Sequence, residues 1–399
     1  MKILIISNLF YPDRGGGASV FSDLCYGLCE RGHDVQVLTS YPYYPEWNNK
    51  SSANLWKVQK EKINKVNLFR YGLYIPSNPS SLLQRLLYEL SFTLSLLRSL
   101  FSHGKNDVTM VYCPLLGAVL YAVLRKWVRR EKLWLNVQDI PADAATASGI
   151  SENKLFDVVA TKTQSLLFRQ ADITSTISPV MVERVDVIAG RIGSCHYLPN
   201  WLNRSMAELI ESLKKRIFDS ASSPQILYAG NIGKKQGLLS FCKELQKSEL
   251  KFHFQIYGDG GEIKDLKKWI HGQKDERFSI AGFLPEADFV EALYKTDFFL
   301  ITETTSVGAS FIPSKLIPCI GTGTPIVALC DPKGPLGQEV IENGLGIVLK
   351  RSDHEHLREV LSNAFIESPS FKKMKTACLK RAEAYSRDVV LDKFERILK

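Results

Sequence analysis

Short apolar runs alternate along this chain with stretches whose apolar residues recur at helical spacing. A continuous apolar run suits a strand buried on both faces, and the helical period suits the layer that covers it. Lys2 to Asn8 is the first such run. It opens into Tyr11-Pro-Asp-Arg-Gly-Gly-Gly-Ala18, and the next stretch sets Val20, Phe21, Leu24, Cys25 and Leu28 on one helical face. Gly32, in Arg31-Gly-His33, caps that helix, and Asp34 to Ser40 is the second strand. Strand, helix, strand predicts a βαβ unit, hence a parallel sheet with right-handed crossovers. Further strands are expected at Val108 to Cys113, Lys132 to Gln138 and Asp172 to Ile177, the last leading into Ser178-Pro179 at a helix start.

The second half repeats the alternation. Strands are expected at Gln225–Ala229, Phe252–Tyr257, Phe278–Ala281, Phe298–Thr302, Ile326–Cys330 and Gly346–Lys350, with helices between them. Leu198-Pro-Asn-Trp-Leu-Asn203 reads as the boundary, with Trp201 exposed and the charge-rich Glu208 to Arg216 as a linker. The tail from Ala382 to Lys399 is an amphipathic helix carrying Val389, Val390, Phe394 and Ile397.

A length of 399 residues fits two domains of roughly 200 residues each. A net charge of +9 directs attention to anionic partners. Nucleic acid is set aside, because the basic cluster Arg125-Lys-Trp-Val-Arg-Arg-Glu-Lys132 has no interleaved aromatic strand platform. An anionic membrane face is retained: Leu82 to Phe101 is dense in leucine, with Arg85, Arg98 and the single acid Glu89. The alternative is a core-packing helix beside a solvated charge cluster. None of the eight cysteines forms a CxxC pair and most lie in apolar runs, so reduced, buried thiols and a cytoplasmic setting are expected. Met1 to Ser7 is too short for a signal peptide. Val108 to Leu124, interrupted by Pro114 and Gly117, reads as strand then helix rather than a membrane span.

The chemistry concentrates in turns at strand ends. Tyr228-Ala-Gly-Asn-Ile-Gly-Lys-Lys-Gln-Gly-Leu238 joins a strand to a helix through Gly230, Gly233 and Gly237, with Lys234 and Lys235 inside. Such a turn offers backbone N–H groups to an anion, although its spacing is neither the P-loop nor the dinucleotide fingerprint. Gly15, Gly16 and Gly17 suggest a second close approach, to a diphosphate or sugar; a plain flexible turn is the alternative. Gly258 in Tyr257-Gly-Asp-Gly-Gly261 is a weaker signal. Ser314 and Lys315 lie at a helix start, where N–H groups and an ammonium could hold a phosphate or simply cap the helix. Asp139, delivered by the Lys132–Gln138 strand, suits a group that takes or orients a hydroxyl proton, and Asp143 beyond it suits an N-cap. The aromatic loop Tyr41-Pro-Tyr-Tyr-Pro-Glu-Trp47 could stack on a sugar or pack as a lid, and His354 and His356 read as surface residues rather than metal ligands.

Taken in order, Gly15-Gly-Gly17, Arg31-Gly-His-Asp-Val35, Leu198-Pro-Asn-Trp201, the Gly230-to-Gly237 turn, Gly258-Asp-Gly260, Gly282-Phe-Leu-Pro285 and Gly323-Thr-Pro325 resemble the retaining, nucleotide-sugar-dependent enzymes of glycosyltransferase family 4. Gly230-Asn-Ile-Gly-Lys-Lys-Gln-Gly237 together with Pro313-Ser-Lys-Leu316 is most similar to the branch that makes capsule, O-antigen and colanic-acid polysaccharides. The resemblance implies the α/β GT-B fold: two Rossmann-like domains with parallel sheets facing an interdomain cleft. It implies an acceptor-binding domain over 1–200, a nucleotide-sugar-binding domain over 201–384, and a terminal helix, 385–399, that returns to the first domain.

That resemblance further implies transfer of a sugar from a nucleotide-diphosphate donor, UDP-linked, to a polyprenyl-diphosphate-linked glycan at the cytoplasmic face of the membrane, with no metal and no cofactor. Gly15, Gly16, Gly17, Gly230, Asn231, Gly233, Lys234, Gly258, Phe283, Leu284 and Ser314 would contact the donor. Lys235 and Lys315 would hold the leaving diphosphate, and Asp139 would orient the acceptor. The chain departs from the family at named places. Asn231 and Gln236 stand where many members have Arg and Lys, and Ser310 and Pro318 replace the paired glutamates near the ribose. The Gln138-Asp139 pair replaces a frequent histidine, and Glu339 is a candidate substitute at the ribose. Two rivals stay open: a nucleotide-sugar epimerase of similar shape, and a non-catalytic sugar-nucleotide-binding scaffold.

Overall fold

A computed structural model describes residues 1–13, 17–51, 54–79, 81–113, 115–141, 154–214, 223–303, 312–350 and 359–399. The chain forms two compact units, Met1–Asn200 with Val390–Lys399, and Trp201–Val389.

The first unit is built on β1 (Lys2–Ile6), β2 (Asp34–Ser40), β3 (Val58–Ile63), β4 (Val66–Tyr71), β5 (Val108–Cys113), β6 (Lys132–Val137), β7 (Ile173–Thr176) and β8 (Cys195–Tyr197). Their order in the sheet is β3-β4-β2-β1-β5-β6-β7-β8. All pairings are parallel except β3 with β4. Ile3 is in register with Val35 on one side and Val108 on the other, and Ile3 to Ile6 are fully buried, as a central strand covered on both faces requires. The helices α1 (Ala18–Glu30), α2 (Leu82–Leu97) and α3 (Leu116–Arg129) supply part of that cover. Inside the unit Arg125 and Glu131 form a buried ion pair, with Nε to Oε2 at 2.8 Å and Nη2 to Oε1 at 2.9 Å. Glu131 also accepts from the Asn106 N–H, and Arg125 donates to the Gly104 carbonyl.

The end of the chain is tied to this unit. Phe394 stacks on Trp134 with centroids 4.3 Å apart. Arg31 Nη1 donates to Asp392 Oδ1 at 2.6 Å and Glu395 Oε2 at 3.1 Å. Arg31 and His33 together hold the Glu395 carboxyl below its ordinary range, His33 most of all.

The second unit carries β9 (Gln225–Asn231), β10 (His253–Asp259), β11 (Phe278–Ala281), β12 (Phe298–Thr302), β13 (Ile326–Leu329) and β14 (Gly346–Leu349). The order is β11-β10-β9-β12-β13-β14, all parallel. This is a doubly wound sheet whose order reverses between β9 and β12, the place where open α/β sheets bind ligands beyond their carboxyl ends. Phe254, Phe298, Leu300 and Leu238 fill the core beneath it.

Three features depart from the sequence reading. The hairpin β3–β4 was not expected: β3 is mostly exposed and polar, and its two-residue turn is Asn64-Lys65, both at positive φ (47° and 71°), without glycine. Trp201 is buried rather than exposed, at 5%. The charged stretch expected as a linker begins as the helix Arg204–Leu213, capped by Asn203, whose Oδ1 accepts from Met206 N at 2.9 Å. Ile210 and Leu213 bury its apolar face against Val290. All eight cysteines are buried and free, in line with the expected reduced thiols. Among the described residues no helix is long and apolar enough to cross a membrane.

Candidate active site

The carboxyl end of β9 runs into the glycine turn at the switch point. Three glycines let two backbones close there. A β-carbon on Gly258 would lie 1.8 Å from the Gly230 carbonyl oxygen, and one on Gly260 would lie 2.5 Å from that of Ile232. Gly230, at φ +143°, leaves room for Lys315: a β-carbon on it would fall 1.6 Å from the Lys315 Nζ. The turn is closed by Gln236, whose Oε1 accepts from Gly233 N at 3.2 Å and Asn231 Nδ2 at 3.3 Å. Thr302 Oγ1 donates to the Gln236 carbonyl at 2.8 Å and so fastens the turn to the end of β12.

Among the described residues of this unit, Lys315 is the lysine whose charge burial disfavours. Its ammonium lies 5.0 Å from the Tyr228 ring centroid, and burial pulls its pKa down to about 8. Among the described residues nothing hydrogen-bonds or ion-pairs with it. A desolvated ammonium against a glycine backbone is a site for an anion that would restore its charge balance. Lys234 and Lys235 are exposed on the same turn, next to Asn231 and Gly233. Ser314 is exposed, but the first amides of the following helix are occupied: Leu316 N donates to the Pro313 carbonyl at 3.0 Å and Ile317 N to that of Ser314 at 3.3 Å. Those two amides are therefore not open to an anion, which leaves the Lys315 side chain as the cation at this helix start that could meet one.

Glu339 is also corrected. Its Oε1 accepts from Arg381 Nε at 2.6 Å and Tyr385 OH at 3.0 Å, and its Oε2 from Arg381 Nη2 at 2.9 Å. The carboxylate fastens the Pro369–Ala382 helix instead of reaching toward a ribose. The acid that does stand at the switch point is Glu303, directly after β12, which sequence reasoning missed. Its backbone N–H donates to the Leu329 carbonyl at 2.9 Å. Burial raises its carboxyl above the ordinary range, and Lys235 pulls it part of the way back. No hydrogen bond to its side chain is found among the described residues. Phe283 is exposed and Leu284 half-buried, in the loop after the edge strand β11.

In the first unit Asp139 follows β6, half-buried. Beside it a polar ladder runs from Trp134 Nε1 to Ser175 Oγ (2.7 Å), from Asn136 Nδ2 to the same oxygen (2.9 Å), from Gln138 Nε2 to Asn136 Oδ1 (2.7 Å) and from Asn200 Nδ2 to Gln138 Oε1 (2.9 Å). The ladder fixes the strand end that carries Asp139, whose charge reinforces the upward shift that burial gives the Tyr112 hydroxyl. Gly17 has an ordinary φ of −78°, and its missing β-carbon leaves space for the Tyr112 side chain, 2.5 Å from where that carbon would be. The aromatic loop turns inward: Tyr43 OH meets Tyr88 OH at 2.5 Å and accepts from Asn8 Nδ2 at 2.9 Å, while Trp47 packs on Tyr88. Gly15, Gly16, Asp143, Ser310, His354 and His356 lie outside the described residues. Among the described residues no cluster of His, Cys, Asp and Glu could hold a metal ion.

The comparisons with known proteins agree with this architecture. Residues 15–201 match the glycosyl transferase 4-like domain, and residues 223–365 match the glycosyl transferases group 1. The chain belongs to the family 4 glycosyltransferases of GT-B fold. It is 27% identical over 350 residues, 85% of each chain, to the putative colanic acid biosynthesis glycosyl transferase WcaI of Escherichia coli (strain K12). Its fold is similar to that of sucrose-phosphate synthase from Thermosynechococcus elongatus, with a TM-score of 0.71, 13% identity, and 99% and 98% of the two chains covered. It is similar also to Anabaena HepE in complex with UDP and glucose (TM-score 0.69, 14% identity, 100% and 99% covered). The lipopolysaccharide outer core galactosyltransferase WaaB gives a TM-score of 0.64 at 14% identity, with 100% and 99% covered.

Proposed function

We propose that this glycosyltransferase moves a sugar from a UDP-linked donor to a hydroxyl of a polyprenyl-diphosphate-linked glycan, with retention at the anomeric carbon and without a metal ion. The product would enter a bacterial surface polysaccharide, made at the cytoplasmic face of the membrane. The observation that carries this reading is the Lys315 ammonium, desolvated and lodged against Gly230 at the switch point of the second sheet. Negative charge grows on the leaving diphosphate in the transition state, and a preorganised cation stabilises it most where water is excluded. Lys235 would add charge at the outer side of the turn, with Lys234, Asn231 and Gly233 beside it. Asp139 would orient the acceptor hydroxyl rather than take its proton. The WcaI relative, described as a colanic acid biosynthesis enzyme, supports the polysaccharide setting, and the HepE complex with UDP-glucose supports the donor class.

Titration of UDP into the wild type, Lys235→Ala and Lys315→Ala tests the donor assignment. Loss of one such contact should weaken transition-state binding by about 2–4 kcal/mol, roughly 30- to 1,000-fold in rate. Unchanged affinity in both variants would remove the assignment. Turnover with a polyprenyl-diphosphate glycan should survive a chelator. Conversion of the nucleotide sugar with no acceptor present would establish the epimerase instead, and tight binding without turnover of any acceptor would establish the scaffold.

A further inference from the structure

Helix α2 is apolar on both sides. Tyr88, Phe92 and Leu96 face the core and are buried. On the opposite face Leu83, Leu86, Leu87, Leu90 and Leu94, at helical spacing, are 42–67% exposed. The outward face of a helix in a water-soluble domain is ordinarily polar. The single acid of this helix, Glu89, points inward, where Oε2 accepts from Gly117 N at 3.0 Å, so no carboxylate of α2 interrupts the leucines.

Aromatic and basic groups border the face. Trp56 is 76% exposed, and the Arg98 guanidinium lies over its ring at 5.2 Å while donating to the Trp56 carbonyl at 2.9 Å. Phe101 is 77% exposed just beyond the helix, and Arg129 of α3 donates to its carbonyl. Lys57 is exposed beside Trp56. Leucines in the middle, Trp and Phe at the margin and cations around them match the depth profile of a bilayer surface, where rings sit at the headgroups and Lys and Arg meet anionic lipid. A second copy of the chain fits less well, because a two-fold contact through this face would bring its basic rims together.

We propose that α2 lies in the headgroup plane of an anionic bilayer, with Leu83, Leu87, Leu90 and Leu94 among the acyl chains and Arg98, Arg129 and Lys57 on the lipid phosphates. This deepens the proposed function by seating the enzyme on the lipid phase that carries the acceptor. The test needs neither donor nor transfer, so the two readings fail separately. The full-length protein is floated with phosphatidylcholine–phosphatidylglycerol vesicles and with pure phosphatidylcholine vesicles, alongside a Leu90→Glu/Leu94→Glu variant. The wild type should float with the anionic vesicles and lose recovery in the neutral ones and in high salt. The variant should lose recovery at least about tenfold while keeping its melting temperature and UDP affinity. Wild type left in the soluble fraction at low salt, or a variant that floats as well as the wild type, would overturn the proposal. So would a dimer in sedimentation that the double variant dissolves.

Discussion

The ammonium of Lys315 fills the space that a side chain on Gly230 would need: an added β-carbon would lie 1.6 Å from Nζ and 2.3 Å from Cε. The obstructing atoms are the far end of a flexible side chain, so a larger residue at 230 can push Lys315 aside without breaking the sheet. An alanine at φ +143° is strained in itself by about 1–3 kcal/mol, so Gly230→Ala should melt roughly 2–12 °C below the wild type and bind UDP roughly 10- to 150-fold more weakly. Gly258 makes the contrast. Its β-carbon would meet the Gly230 carbonyl at 1.8 Å, backbone that cannot step aside, at φ +146°. Gly258→Ala carries the same backbone strain and this clash besides, so it should lower the melting temperature clearly further than Gly230→Ala. Thermal melts with UDP titration of both variants separate the two outcomes, and equal loss of stability in both would refute the distinction.

A pH dependence follows from the same lysine. Burial lowers its pKa to about 8, below the ordinary lysine range, so the ammonium is present at neutral pH and lost as pH rises through 8. An anionic diphosphate favours the charged form and should raise the pKa on binding. UDP affinity is expected to fall up to tenfold per pH unit above about 8, with proton uptake on binding in that range. The free protein runs the other way. Its folded state holds fewer protons than the unfolded chain between pH 8 and the ordinary lysine value, so Lys315 contributes a gain in stability as pH rises through that window. Calorimetry in buffers of different ionisation enthalpy measures the uptake. Lys315→Met should abolish it, and a pH-independent wild-type affinity would contradict the assignment.

Glu303 is expected to contact the donor in place of the missing glutamates. It stands at the end of β12 across the switch point from the glycine turn, with Lys235 near enough to lower its pKa. A carboxylate that accepts from a hydroxyl contributes about 1.5–3 kcal/mol, so Glu303→Gln should lower kcat/KM for the donor roughly 10- to 150-fold. Removing a half-buried charge that has no hydrogen-bond partner among the described residues should leave the melting temperature equal or higher. Steady-state kinetics beside a thermal melt decide it; full activity would show that the side chain takes no part.

Most of the sheet architecture is legible because parallel strands buried on both faces are written as unbroken apolar runs. Val108–Cys113 and Phe298–Thr302, buried along their whole length, end in the structure where the sequence places them. The hairpin β3–β4 escapes the same reading because β3 alternates toward water and its turn uses Asn64-Lys65 in place of a glycine pair. At the candidate site the turn itself is legible from Gly230, Gly233 and Gly237. Its neighbours are not. Lys315 reaches Gly230 across 85 residues of sequence, so only the fold reveals that this lysine, rather than those in the turn, is the desolvated one. Glu339 misleads for a related reason: a glutamate at a helix start gives no sign of the Arg381 that claims it 42 residues later. Trp201, beside a proline and before a charged stretch, carries no mark of the 5% exposure it has in the fold.

The Arg125–Glu131 pair yields a prediction about stability alone. Both side chains are fully buried, and Glu131 also accepts from Asn106 N and, at 2.5 Å, from the Thr109 hydroxyl. Removing one partner strands the other charge in a dry interior, which costs about 3–5 kcal/mol, whereas replacing both with apolar residues of similar volume is often neutral. Arg125→Met should therefore lower the melting temperature of the first unit by roughly 6–20 °C. The double variant Arg125→Met/Glu131→Met should recover part of that loss, though not all, because Asn106 and the Ser102 and Gly104 carbonyls lose partners in it. UDP affinity should hold in both, since the pair lies in the first unit and the donor residues Gly230 and Lys315 in the second. Differential scanning calorimetry of the single and double variants completes the cycle, and a single variant as stable as the wild type would show that the pair is not the isolated buried contact the geometry describes.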